Sequence, residues 1–134
     1  MKRITVTKLK KEIVPIHSRY IRLRDCLRTT GSPEYGECFT CDFSGPISYL
    51  QAGHFMQGRH NAYLFSERGV HAQCARCNLT LGGNPHEYRR QIVKLYGEDV
   101  AMELEAERQQ VKKFTISELK ELKESLLKKI RELE

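Results

Sequence analysis

The spacing of apolar side chains predicts helices at both ends of the chain, separated by a segment without helical periodicity. Apolar residues three or four positions apart continue from Ile16 to about Thr29, as on one face of a helix, with arginines on its other faces. Glycine and proline follow directly and end that pattern. Residues 1–15 alternate basic and apolar side chains before Pro15, which fits either an extended basic arm or a short helix.

Residues 37–83 contain short apolar runs and several glycines, a texture typical of a small unit built around a metal. Within this segment, residues 49–55 and 64–72 are the predicted strands. Two Cys-x-x-Cys pairs in the same segment each predict a tight turn whose backbone amides point at the sulfur atoms.

The segment after Gly83 carries the start signals of two further helices. Asn84 is a predicted N-cap, proline follows at the first helical position, and Glu87 is placed to bond back to the cap. This helix is expected to end near residue 96. A second helix is predicted over residues 98–111.

A last helix is predicted from Thr115 to the C-terminus. Thr115 and Glu118 form a capping box, and Phe114 and Leu119 form a hydrophobic staple. The helix carries an apolar stripe made of Leu119, Leu122, Leu126, Ile130 and Leu133. A stripe with this spacing indicates packing against a core or, alternatively, a short dimerising coiled coil.

Four of the five cysteines form two Cys-x-x-Cys pairs, Cys38 with Cys41 and Cys74 with Cys77. This spacing is typical of a closed tetrahedral zinc site, which stabilises a fold and leaves no position open for substrate. We see no export signal, so we expect thiolates that bind metal rather than disulfides. Cys26 is expected to be a buried or free thiol.

The net charge of +6 is concentrated near the N-terminus. Residues 1–28 carry nine Lys or Arg and two acids, so +7, whereas residues 29–83 sum to −1 and residues 84–134 to 0. Such a concentration is typical of proteins that bind the phosphate backbone of nucleic acids, although a solvated basic arm is the alternative. Without an apolar run of membrane-spanning length, we expect a soluble cytoplasmic protein that has no membrane partner.

His54 lies between the two cysteine pairs on a predicted strand, directly after Gly53. A neutral imidazole in such a position can take a proton from water. For a single histidine, a packed or hydrogen-bonded side chain is the alternative interpretation.

The order of these features resembles the HNH, or ββα-metal, nuclease motif. That motif has a histidine on a strand, a loop, a second strand that enters Cys-x-x-Cys-Asn, and a short helix. More closely, several separated motifs resemble the phage NinG (Rap) recombination family over about residues 16–115. They are Ser18-x-Tyr20-Ile21-Arg22-x-Arg24-Asp25, Cys38-x-Thr40-Cys41, Ala52-Gly53-His54-Phe55, Val70-His71-Ala72-Gln73-Cys74-x-x-Cys77-Asn78 and Gly83-Asn84-x-x-Glu87-Tyr88.

The resemblance implies a mostly helical α+β fold, with a zinc-stapled ββα-metal core between N-terminal and C-terminal helices. His54 would activate water for attack on a phosphodiester, and Asn78 would help hold a catalytic Mg²⁺ or Mn²⁺ ion. The family is associated with cleavage of branched DNA during phage recombination. The implied function is a metal-dependent, structure-selective DNA endonuclease in the cytoplasm of the host cell.

Two glycines depart from the HNH pattern. Gly53 stands where many HNH enzymes carry an acidic metal ligand, although glycine there resembles the NinG family. Gly69 stands where the motif has an asparagine that braces the loop, and Asn61 is the candidate to replace it. Asp25 is the candidate for the missing carboxylate ligand, because a hard cation prefers oxygen. An ion pair between Asp25 and a neighbouring arginine of the same helix explains that residue equally well.

Six arginines are candidate phosphate contacts. They are Arg19, Arg22, Arg24, Arg59, Arg68 and Arg76. Phosphate contacts position a duplex without reading its bases, so we expect recognition of DNA shape more than of sequence.

We divide the chain into a basic arm (1–15), a helix with a zinc-stapled nuclease domain (16–113) and an amphipathic helix (114–134). The last helix either packs on the domain or forms a homodimer, which would suit paired cuts in branched DNA. Two functions without catalysis stay open. One is a zinc module that binds nucleic acid, and the other is an adaptor whose leucine helix recruits a partner.

Overall fold

The computed structural model describes residues 3–58 and 60–134, and its architecture is α+β and mostly helical, as predicted. Within these residues, helices and two antiparallel strand pairs alternate along the chain. The helices are α1 Val6–Thr30, α2 Asn61–Leu64, α3 Pro85–Tyr96, α4 Glu98–Ala106 and α5 Ile116–Leu133. The strands are β1 Tyr35–Glu37, β2 Ser44–Pro46, β3 Leu50–His54 and β4 Val70–Cys74. Single helical turns of other pitch cover Ile47–Tyr49, Arg76–Thr80 and Glu107–Gln109.

Helix α1 begins at Val6, earlier than the predicted start at Ile16. Thr5 caps it, because its hydroxyl accepts a hydrogen bond from the amide of Lys8 at 3.1 Å. Pro15 lies inside the helix and does not end it. Proline removes one backbone hydrogen bond, but Pro15 is exposed, so water can replace that bond. Burial of the neighbouring turns against α5 outweighs the remaining cost.

The apolar stripe of α5 packs against α1. Buried side chains of the two helices meet in one cluster with Val70 of β4: Leu9, Ile13, Tyr20, Ile21, Leu23, Leu119, Leu126 and Ile130. Ion pairs between Glu12 and Lys123 and between Arg19 and Glu134 show that the two helices run in the same direction. The stripe is therefore covered within a single copy of the chain.

Helices α3 and α4 form a second cluster with the loop after β3. Tyr88 and Ile92 of α3 and Ala101 and Leu104 of α4 are buried together there. Helix α3 ends before glycine, as predicted, but α4 ends at Ala106 and not near residue 111. The last residues of that predicted helix are polar or fully solvated, so burial gives them no reason to continue it.

The start of α3 differs from the predicted capping box. Asn84 occupies the N-cap position with a left-handed backbone (φ 50°), and its side chain makes no bond to the helix. Its amide nitrogen donates to the carbonyl of Thr40 at 3.2 Å and lies 3.7 Å from the sulfur of Cys77. Glu87 pairs with Arg90 instead of with the cap. Asn84 therefore ties α3 to the cysteine pairs.

The two strand pairs are short antiparallel hairpins. In the first, Gly36 lies opposite Gly45, and in the second, His54 lies opposite Val70. The second strand of that hairpin begins later than the predicted residue 64, because α2 and a loop come before it. All five residues of β4 are buried, which places the hairpin in the centre of the fold.

None of the helices in the described ranges combines the length and the apolar character that a bilayer crossing requires.

Truncation of Leu126 to alanine is expected to lower the free energy of unfolding by about 3 kcal/mol, because Leu126 is buried between α5 and α1. Urea unfolding of the zinc-loaded protein measures this change. Leu127→Ala is the matched control, since its side chain on the same helix is only half-buried. Equal losses for the two variants would contradict the packing of α5.

Candidate metal centre and adjoining cleft

The two cysteine pairs meet in one cluster, formed by Cys38, Cys41, Cys74 and Cys77. All four sulfur atoms lie within 4.8 Å of one another, and those of Cys41 and Cys74 are 3.7 Å apart. Sulfur ligands about 2.3 Å from a tetrahedral zinc ion lie roughly 3.8 Å from each other. The cluster therefore has the dimensions to hold a metal such as zinc.

Backbone amides point at these sulfur atoms, as the tight turns predict. The amides of Thr40 and Cys74 donate to the sulfur of Cys38 at 3.5 and 3.3 Å, and the amide of Phe43 donates to that of Cys41 at 3.4 Å. Such donors stabilise the thiolate form that binds metal. Cys26, the fifth cysteine, is buried elsewhere, against Leu50 and Ala72.

Without metal, the thiols of the cluster differ in acidity. Burial raises the pKa of Cys41 to about 12 and also raises the pKa of Cys74. Burial acts in the same direction on Cys38, but hydrogen bonds from the amides of Cys74 and Thr40 outweigh it and lower the pKa of that thiol. A metal must displace the thiol protons, so its affinity falls as the pH decreases.

Strand β3 and the turn Arg76–Thr80, which follows β4, place His54 and Asn78 in one cleft. The cleft encloses about 400 Å³. Helix α1 contributes His17, Ser18 and Arg22 to its lining. The structure thus brings together the two residues that the motif marks and adds a helical wall of polar side chains.

The ring of His54 is held by a backbone carbonyl. Its Nε2 lies 2.9 Å from the oxygen of Leu64, which can only accept a hydrogen bond. The Nε2 atom therefore carries the proton, and Nδ1 is the basic nitrogen of the neutral ring. This fixes both the tautomer and the plane of the ring.

Asn78 is tied to the strand next to it. Its amide nitrogen donates to Oε1 of Gln51 at 2.7 Å, which leaves Oδ1 as the acceptor of that side chain. Asn78 directly follows Cys77, whose sulfur belongs to the cluster. The position of Asn78 therefore depends on the four cysteines. The metal centre and the cleft are thus neighbours along the chain and in space.

His17 is a cleft residue that sequence reasoning missed. It is buried, and its Nε2 lies 3.2 Å from the carbonyl oxygen of Ser66. Burial lowers the pKa of His17 to about 4, although the hydrogen bond with the carbonyl of Ser66 acts in the opposite direction. One sequence signal could have revealed His17. It lies four positions from both Ile13 and Ile21, on the buried face of α1, where a polar side chain is unusual.

Asp25 lies outside the cleft, in a buried network that joins α1 to β4. Its carboxylate accepts hydrogen bonds from the amide of Ala72 at 2.7 Å, from Arg24 at 2.9 Å and from His71 at 3.1 Å. Burial opposes ionisation, but the hydrogen bonds and charges of His71 and Arg24 outweigh it and hold the pKa of Asp25 well below its usual range. The structure places this carboxylate as an anchor of the fold and does not bring it to His54.

The predicted phosphate-binding arginines have different surroundings. Arg22 lines the cleft, and Arg76 is exposed on the turn after β4. Arg24 is engaged inside the fold, since it also donates to the carbonyls of Glu67 and Val70. Arg19 and Arg68 pair at the surface with Glu134 and Glu103. Arg59 lies outside the described residues.

Asn61 lies at the start of α2 and does not line the cleft with His54. Its amide nitrogen donates to the carbonyl of Lys112 at 3.0 Å. The bracing of the loop is done by Ser66, whose hydroxyl accepts a hydrogen bond from the amide of Gly69 at 2.9 Å.

Both glycines that depart from the HNH pattern are closely packed. A Cβ atom at Gly53 would meet Oε1 of the buried Gln73 at 1.8 Å. A Cβ atom at Gly69 would meet the hydroxyl of Ser66 at 2.9 Å. Packing therefore requires glycine at position 53, whereas a Cβ atom at position 69 would have to displace only the hydroxyl of Ser66.

The fold and the site define a mostly helical α+β protein with a four-cysteine centre that can hold a metal such as zinc. Among protein families, the family model described as bacteriophage lambda NinG protein matches residues 3–134. Because the match covers nearly the whole chain, the chain belongs to the NinG family, as its motifs predict. No curated protein and no solved structure matches the chain.

Replacement of Cys77 by serine is expected to abolish tight zinc binding, because the cluster then loses one of its four thiolates. Zinc per chain in the purified protein, measured by elemental mass spectrometry, is expected to fall from about one to near zero. Cys26→Ala is the control and keeps its zinc, since Cys26 lies outside the cluster. Full zinc content in Cys77→Ser would contradict the four-cysteine site.

The stability of the protein is expected to fall between pH 7 and pH 5.5 partly because of His17. Unfolded His17 takes up a proton near its usual pKa of 6.5, whereas the folded protein resists protonation down to about 4. The stability that a neutral His17 contributes is present above pH 6.5 and is lost as the pH falls towards 4. By pH 5.5 the loss in the free energy of unfolding is about 1 kcal/mol.

Urea unfolding of His17→Gln at both pH values tests this, because glutamine can still donate to Ser66 but does not titrate. The variant is expected to lose less stability than the wild type on acidification. His86→Gln, at an exposed histidine of α3, is expected to behave as the wild type does. Identical pH dependence of wild type and His17→Gln would show that His17 is not kept neutral by burial.

Proposed function

We propose that this NinG-family chain is a DNA endonuclease of the HNH type that acts on branched recombination intermediates. The observation that carries the proposal is the cleft in which His54 and Asn78 lie together beside α1. The hairpin of β3 and β4, followed by the turn Arg76–Thr80, also has the element order of the ββα-metal core. The choice of branched DNA rests on membership of the family.

In this proposal, His54 is the general base. In the neutral ring, whose Nε2 donates to the carbonyl of Leu64, Nδ1 is the nitrogen that takes the proton of the attacking water. The water oxygen then bonds to phosphorus as the bond to the leaving sugar oxygen breaks. A ring that is already oriented does not have to be ordered during the reaction, which lowers the barrier.

Positive charge in the cleft comes from Arg22. Burial lowers the pKa of Arg22 from its very high usual value, but a guanidinium remains charged at neutral pH. The neighbouring His17 stays neutral, as shown by its pKa of about 4. Among the described residues that line the cleft, Arg22 is therefore the side chain whose permanent positive charge can attract a phosphodiester.

The described residues that line the cleft offer a divalent ion the amide oxygens of Asn78 and Gln57 and no carboxylate. Mg²⁺ in proteins usually binds one or two carboxylates together with water and substrate phosphates, so these amide oxygens fit such an ion only if water and the DNA supply its other ligands. When bound, Mg²⁺ or Mn²⁺ would neutralise the charge of the scissile phosphate.

The absence of a carboxylate from this lining is also the observation that favours a second function. In that alternative, the chain is a zinc module that binds nucleic acid without cutting it. The close packing of Gln73 against Gly53 favours the nuclease, because it gives that glycine a role in packing and does not mark it as the loss of a metal ligand. An adaptor that recruits a partner through α5 has less support, since α1 covers the apolar stripe.

The nuclease proposal predicts that the zinc-loaded protein cuts a labelled four-way junction in Mg²⁺ or Mn²⁺. His54→Ala is expected to lower the cleavage rate at least about 100-fold, as removal of a general base does. Denaturing gels of junction, linear duplex and single strand, run with each ion, measure the rate and the preference.

His86→Ala is the matched control, because it removes an exposed imidazole that does not line the cleft. It is expected to cut at the wild-type rate. If wild type and His54→Ala bind the junction equally and neither cuts any substrate, the nuclease proposal fails and the binding module is favoured.

A further inference from the structure

A second depression adjoins the cleft on the side of the cysteine cluster. It encloses about 760 Å³, and Phe43, Tyr49, Gln51 and Arg76 line it together with one cysteine of each pair. We call it the aromatic groove. Its volume lies in the range of sites that enclose small organic molecules.

The aromatic rings of this groove are exposed, unlike most others in the protein. All six tyrosines and five phenylalanines lie within the described residues, and among them Tyr35, Phe43 and Tyr49 are the exposed ones. Tyr49 is the most exposed, at 64%. These three come from the short segment that forms β1, β2 and the turn Ile47–Tyr49. Of these three rings, those of Phe43 and Tyr49 line the groove and are therefore available to stack on a ligand.

The groove and the cleft share a residue. Gln51 lines both, and its Oε1 accepts the hydrogen bond from Asn78 inside the cleft. A strand of DNA held at the cleft can therefore continue into the aromatic groove without leaving the surface.

The polar side chains of the groove suit a nucleotide. Arg76 is exposed and provides a cation for a phosphate. Asp42 also lines the groove, and its carboxylate can accept from an exocyclic amino group of a base. The groove thus offers a cation for the phosphate, a hydrogen-bond acceptor for the edge of the base and aromatic rings for its face.

We propose that the aromatic groove binds an unpaired nucleotide of the DNA substrate, with its base stacked on Tyr49 and its phosphate at Arg76. A base inside a duplex has both faces covered by its neighbours, so only an unpaired base can use the exposed ring. The proposal rests on the proposed nuclease function and narrows its substrate to DNA with single-stranded nucleotides beside the cut. Branch points, gaps and flaps supply such nucleotides.

Binding of fluorescein-labelled oligodeoxycytidine, whose bases carry an exocyclic amino group, to zinc-loaded protein is followed by anisotropy without added Mg²⁺ or Mn²⁺ and tests the groove. Tyr49→Ala is expected to raise the dissociation constant roughly tenfold, the loss usual for one stacked base. Tyr49→Phe keeps the ring and is expected to bind as the wild type does. Met102→Ala, at an exposed apolar residue of α4, controls for general surface changes.

The same titration in the His54→Ala background separates this proposal from the nuclease proposal. Weaker binding on adding Tyr49→Ala supports the groove even if no variant cuts DNA. Equal binding by wild type, Tyr49→Ala and Tyr49→Phe, or no binding by the wild type, would overturn the groove. In that case, cleavage of a fully paired junction that depends on His54 would still support the nuclease.

Discussion

The buried carboxylate of Asp25 holds the long first helix to the central hairpin, and the geometry of the cleft depends on that attachment. The amide of Ala72 lies at an edge of β4, and Asp25 accepts its hydrogen bond. Arg24 donates to the carbonyl of Val70 on the same strand. A two-stranded hairpin has no further strands to satisfy its edges, so α1 supplies side chains in their place. With α1 fixed in this way, His17 and Arg22 stand against the strand that carries His54.

Much of the fold follows from the spacing of apolar residues and the start signals of helices. The helices after Gly83 begin within one residue of their predicted starts, because breaking and capping residues mark those starts locally, whereas α4 ends five residues before its predicted end at residue 111. The beginning of α1 was not predictable in the same way. Pro15 is a local signal against a helix, and only the contact between α1 and α5, far apart in sequence, outweighs it.

The parts of the candidate site that could be predicted are those whose residue types and spacing form a recognisable motif. The four cysteines come together as their spacing implies, and His54 and Asn78 share a cleft as the motif implies. Of the two interpretations of Asp25, the ion pair within its own helix is present, with Arg28 at 3.8 Å, and Asp25 does not line the cleft, because a sequence motif does not show which face of a helix meets the strand. His17 was missed for the same reason. The register of α1 against the hairpin is a tertiary property, and neither residue type reveals it.

The loop between the two central strands orients both histidines through its carbonyl oxygens, those of Leu64 and Ser66. A carbonyl belongs to every residue type, so substitutions at these two positions can leave the orientation of the rings unchanged. The information that aligns the imidazoles is thus carried by the path of the backbone rather than by particular amino acids. Relatives can therefore carry other residues at these positions and keep both rings aligned, provided that the loop keeps its length and curvature and a side chain that holds the amide of Gly69 as Ser66 does.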